Sequence, residues 1–124
     1  MGAYRDAALP VIAKGNVYLN GAVSLEENSN ELQKTYKNDV KIEETTEGTY
    51  FEFVWDEEIL KFKNKIVTTE ILGETSISKL PFVHPDDSEY NLDRDYSGKK
   101  RDKSNTVAGP FEIKVSGKQR IKVW

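Results

Sequence analysis

Alternation of apolar and polar residues dominates the chain. Thr49-Tyr50-Phe51-Glu52-Phe53-Val54-Trp55 has period two, which puts Phe51, Phe53 and Trp55 on one face of a strand. Asp39-Val40-Lys41-Ile42-Glu43-Glu44 alternates as well, and Thr45-Thr46-Glu47-Gly48 has turn chemistry, so residues 39–55 read as a β-hairpin. Lys65–Leu72, rich in β-branched residues and ended by Gly73, predicts a third strand. Shorter candidates are Asn16–Leu19, Thr75–Leu80, Phe111–Val115 and Gln119–Val123. The last two flank Ser116-Gly117 and predict a terminal hairpin. Helix is scarce. Glu26–Lys37 has a helical look with a thin apolar stripe of Leu25, Leu32 and Tyr36, and Asp56-Glu57-Glu58 can open one helical turn below Ile59 and Leu60. Short strands at this spacing predict an all-β, mostly antiparallel β-sandwich with one long ordered loop over residues 81–110.

Composition narrows the function. The 124 residues suit a single β-sandwich domain, 1–124. Thirteen aromatic residues are too many for a disordered tail. The absence of cysteine excludes a disulfide scaffold and a thiol nucleophile, and the single histidine, His84, excludes metal sites that need two. No apolar run reaches the roughly 18 residues of a membrane span, so no membrane partner is expected. Net charge is −3, with 12 acids against 5 bases in residues 1–60 and 9 against 13 in residues 61–124. One short basic run, Lys99-Lys100-Arg101 with Lys103, is too little for nucleic-acid binding. The start, Met1-Gly2-Ala3-Tyr4-Arg5-Asp6, has no apolar signal-peptide segment and reads as the opening of a domain excised from a larger multidomain protein.

Candidate chemistry gathers in the long loop. Asp93-Arg94-Asp95-Tyr96-Ser97-Gly98 places oxygens at alternate positions before a glycine, as in the first half of a calcium loop, with Asp93, Asp95 and Ser97 as ligands. The second half departs from that pattern, since Arg101 and Ser104 stand where ligands belong. The competing reading is an Asx-type turn with Gly98 at positive φ and Arg101 folded back on Asp93 or Asp95. No cofactor is required by either, and Ca2+ belongs only to the first. Tyr90 and Tyr96 flank the two aspartates, and Tyr50 faces outward from its strand. Rings that stack on pyranose faces beside carboxylates that accept hydroxyl hydrogen bonds make Tyr50, Tyr90, Tyr96, Asp93 and Asp95 the candidate glycan-binding residues. No catalytic residue is assigned.

Residues 64–124 also resemble a known group. Pro81-Phe82 through Pro85-Asp86, then Asp93, Asp95, Gly98 and Arg101 in an Asp-x-Asp-x-x-Gly-x-x-Arg stretch, then Gly109-Pro110-Phe111-Glu112, are similar to the C-terminal region of bacterial right-handed parallel β-helix proteins that act on polysaccharides. Asp87 departs from that pattern where a glycine is expected, and Ser97 where a bulkier residue is usual. The resemblance implies a non-catalytic, carbohydrate-binding accessory module of a polysaccharide-degrading enzyme. Its implied partners are a polysaccharide or oligosaccharide and a cognate catalytic β-helix domain in the same chain. The implied setting is extracellular or on a bacterial cell surface. The alternative is a structural domain that caps a β-helix, and an independent small glycoside hydrolase ranks last.

Overall fold

A computed structural model describes residues 12–25 and 30–124. The fold is all-β, as the alternation predicts. Its centre is an antiparallel sheet of β3 (Lys41–Thr45), β4 (Gly48–Trp55) and β7 (Gly117–Lys122), in the order β3-β4-β7. Two minor pairs accompany it: β1 (Val17–Tyr18) lies parallel to β2 (Leu32–Gln33), and β5 (Lys63–Asn64) lies antiparallel to β6 (Thr106–Val107). The predicted hairpin is present in register, with Ile42 opposite Phe51 and Thr45 opposite Gly48. Gly48 takes a φ of +139°, and an added Cβ would meet the Trp124 carbonyl at 2.4 Å, so only glycine fits this corner.

The core lies on the ring face of β4. Phe53, Val107, Phe111 and Ile113 form the buried cluster, and Phe51, Trp55, Leu60, Ile121 and Val123 pack against it half-buried. The layer opposing the sheet is therefore β6 and the bent, irregular segment 108–113. α1 (Glu57–Lys61) forms as its acids predict, with the Asp56 carboxylate accepting the Ile59 N–H at 3.0 Å.

Four expectations are overturned. The third strand expected at Lys65–Leu72 does not form: residues 65–67 are irregular, Thr68 makes a single bridge to Asn91, and α2 (Thr69–Leu72) follows, because the Thr68 hydroxyl accepts the Ile71 N–H at 3.2 Å and nucleates a helical turn. Gly73, at φ +73°, ends that turn. The terminal hairpin does not form. The Glu112 N–H donates to the Asp95 carboxylate at 2.9 Å instead of to a partner strand, and β7 pairs with β4, setting Ile121 opposite Phe51. Thr75–Leu80 closes as a turn, with the Thr75 N–H donating to the Leu80 carbonyl at 2.9 Å. Of the helix expected at Glu26–Lys37, residues 26–29 lie outside the described residues. The rest is not helical: β2 pairs with β1, the Glu31 carboxylate accepts from Asn16 and Tyr18, and Lys34 is drawn to Asp56 and Glu58.

The long loop is held by bonds within it and to the segment before it. Bridges join Val83 to Glu89, Arg94 to Lys100 and Thr68 to Asn91, and β6 interrupts the loop near its end.

Candidate functional site

Alternate residues of β4 point to one side, so the strand delivers three rings to one surface. The Phe51 and Phe53 centroids are 5.1 Å apart, and Phe53 and Trp55 meet edge-to-face at 5.0 Å. Phe111 joins from segment 108–113, at 6.1 Å from both Phe51 and Phe53. Tyr96 extends the row, meeting Phe111 edge-on at 5.6 Å. Phe53 and Phe111 are buried, Phe51 and Trp55 half-buried, and Tyr96 is exposed. Beside the rings lies a cavity of about 230 Å³ lined also by Asn38, Ala108, Gly109 and Pro110. Gly109 adopts φ +91°, which carries the chain over the Trp55 ring.

The turn at 93–98 anchors the open end of this row. Gly98 has the expected positive φ, +79°. The Asp95 carboxylate accepts the Lys99 N–H at 2.8 Å and the Glu112 N–H at 2.9 Å. Partial burial pushes its carboxyl pKa up, but the backbone N–H groups of Glu112, Lys99 and Ser97 outweigh this and hold it below the usual carboxylate range. The Tyr96 N–H donates to the Pro110 carbonyl at 2.7 Å and its hydroxyl donates to the Val123 carbonyl at 2.8 Å. The tyrosine is thus fixed at both ends while its ring stays exposed. Gly98→Val should destabilise the domain by at least about 1–2 kcal/mol, since a β-branched residue resists a left-handed backbone even where space is open. Chemical denaturation measures that loss, and an unchanged midpoint would refute it.

The expected partner of Arg101 is corrected. Its side chain bypasses Asp93 and Asp95 and donates to Glu112 at 3.1 Å, the Gly109 carbonyl at 3.1 Å and the Val107 carbonyl at 2.6 Å. Only its backbone N–H reaches Asp93, at the carbonyl. The reason is that Asp95 is already engaged by N–H groups, whereas the buried Glu112 carboxylate needs a cation. The Asp93, Asp95 and Ser97 set lies in this Asx-type turn, and among the described residues no third carboxylate or histidine joins the two aspartates in a group that could hold a metal.

The other tyrosines lie elsewhere. Tyr90 is half-buried, its ring 4.1 Å from that of His84 and its N–H donated to the Thr69 hydroxyl at 2.8 Å. Tyr50 is on the opposite face of the sheet beneath the Arg120 guanidinium, 3.6 Å from its ring centroid. Of the five glycan-binding candidates, only Tyr96 and Asp95 border the aromatic row, Asp95 through its bond to Glu112. Phe51 and Trp55 read from sequence as inward-facing strand residues alone, and Phe111 as part of a strand. The half-exposed edge of Phe51 and Trp55 depends on Gly109-Pro110, whose path no local pattern reveals.

No family model matches the chain, and no curated protein matches it. A solved structure of XylC in complex with xylose is similar: it is 28% identical, superposes with a TM-score of 0.84 and covers 93% of this chain. The chain spans 18% of the XylC chain, so it shares its fold with a part of a xylose-bound, carbohydrate-related protein.

Proposed function

We propose that the chain is a non-catalytic carbohydrate-binding module accompanying the catalytic part of a longer polysaccharide-degrading protein, as the β-helix resemblance implies. The observation that carries this reading is the likeness to xylose-bound XylC along 93% of the chain. The aromatic row supports it, because aromatic rings offer an apolar platform to the C–H face of a sugar while hydroxyls stay in water. An accessory role agrees with the acids as well. Glu52, the most buried carboxylate of the sheet, is ringed by Lys118, Lys41 and Arg120. The hydrogen bond from Lys118 leads in holding its carboxyl below the usual range despite burial, which suits an ion-pair anchor and not a general acid. A module of this kind raises the local substrate concentration for an attached catalytic domain, and an extracellular or cell-surface setting follows from a polysaccharide target.

Affinity electrophoresis on xylan tests the reading. The chain should be retarded, and Tyr96→Ala should lose most of the retardation while costing only about 1 kcal/mol of stability for one hydrogen bond. Passage of the parent chain unretarded through every plant and bacterial polysaccharide would overturn it.

A second reading, a packing domain that caps a larger partner, is favoured by one feature. Val67, Ile71, Leu80, Phe82 and Leu92 are all exposed, on segments joined by the Thr68–Asn91 and Glu74–Pro81 bridges. Exposed apolar groups gathered this way mark interaction surfaces.

A further inference from the structure

We infer that the cavity beside Trp55 and Phe111 is a seat for one uncharged sugar unit, and that its lining selects neutral glycans against uronate-bearing ones. The inference rests on the carbohydrate-binding reading and refines it. The cavity of about 230 Å³ is lined by Asn38, Val40, Ala108, Gly109, Pro110, Ile113 and the rings, with no ionisable side chain among the described residues. A carboxylate entering it would shed water with no cation to receive it, which is heavily disfavoured. The cation bonded to the Gly109 rim, Arg101, is committed to Glu112 and to the Val107 and Gly109 carbonyls.

A neutral pyranose suits the seat. Its C–H face can lie against half-exposed Phe51 and Trp55 while its hydroxyl edge remains in solvent. Asn38 is the amide residue at the cavity's edge: its Oδ1 accepts from Asn20 at 3.1 Å, and its NH2 group has the donors that a hydroxyl at that edge would take. Ala108 is the small residue whose enlargement would occupy the space a ligand needs.

Calorimetric titration with xylohexaose and with hexagalacturonate, which carries a carboxylate on every unit, tests this. The parent chain should bind xylohexaose at least about tenfold more tightly than hexagalacturonate. Ala108→Leu should abolish xylohexaose binding with an unchanged or raised melting temperature, since it fills space without removing a contact. Asn38→Ala, which leaves the rings in place, should weaken binding by about three- to tenfold, the loss of one hydrogen bond. Equal affinity for the two hexamers would overturn the selectivity. Full xylohexaose affinity in both variants would overturn the seat. In each of these cases the carbohydrate-binding reading survives. Failure of the parent chain to bind either hexamer would also overturn the seat, whereas the carbohydrate-binding reading falls only if every polysaccharide in the electrophoresis leaves the chain unretarded.

Discussion

Replacing Arg101 by Met is expected to lower stability by about 3–5 kcal/mol, because it strands a buried carboxylate. The Arg101 and Glu112 side chains are 12% and 9% exposed, and their bond is 3.1 Å long. Glu112 would retain only the Thr106 hydroxyl, also at 3.1 Å, as a side-chain donor to its carboxylate. The Val107 and Gly109 carbonyls would lose their guanidinium donors at the same time. Urea denaturation reads the change from the midpoint at constant slope. Adding Glu112→Gln to Arg101→Met should restore part of the loss, since the remaining partner is then neutral. A single variant within about 0.5 kcal/mol of the parent would show that water solvates Glu112 and that the latch is decorative.

Phe53→Ala is expected to cost a similar amount, about 3–5 kcal/mol, from lost burial and the cavity left behind. Phe53 is 4% exposed, lies in the central strand of the main sheet and touches Phe51, Trp55 and Phe111. For a chain of this length that loss should lower the melting temperature by on the order of 10 °C or more. A melting curve superimposable on the parent's would mean that the register of β4 is wrong. Phe53→Leu should cost far less, because most of the volume is kept.

Both effects meet at the aromatic row, and both show how stability and the candidate site share residues. Phe53 supplies the buried floor. Arg101 ties together Val107, Gly109 and Glu112, the segment that carries Phe111 to the rings. Tyr96 hangs from the same segment through its bond to Pro110. A polar latch thus positions an apolar surface.

The legible part of the fold was the part governed by local pattern. Alternation around Phe51, Phe53 and Trp55 gave the hairpin and its inward face, and Asp56 announced α1. Gly98 is legible as a left-handed position because Asp95 accepts backbone N–H groups in an Asx-type turn that needs a glycine there. What failed turned on which partner each polar group takes, near or far in sequence. Thr68 looks like a strand residue until its hydroxyl caps α2. Phe111–Val115 alternates like a strand, yet Asp95, 17 positions from Glu112, takes the N–H that a ladder would use. Arg101 could pair with several acids, and burial of Glu112 decided which. The site was half legible for the same reason. Tyr96 stood out as an aromatic in a turn, whereas Tyr50 is covered by Arg120 from β7 and Tyr90 rests against His84. Trp55 is legible as an inward-facing residue of its strand, but nothing in its sequence context shows that Gly109-Pro110 leaves an open edge beside it or that Phe111 comes to meet it.

The central claim is that the aromatic row between Trp55 and Tyr96 receives a neutral sugar, and amide chemical-shift mapping tests it most directly. Titration of xylohexaose into the isotopically labelled chain, up to about 10 mM to cover weak binding, should move the Trp55 indole N–H and the amides of Ala108, Gly109, Phe111 and Tyr96. Lys41, Glu52, Lys118 and Arg120 on the opposite sheet face should stay in place. Shifts confined to that opposite face, or none anywhere at the highest concentration, would contradict the account.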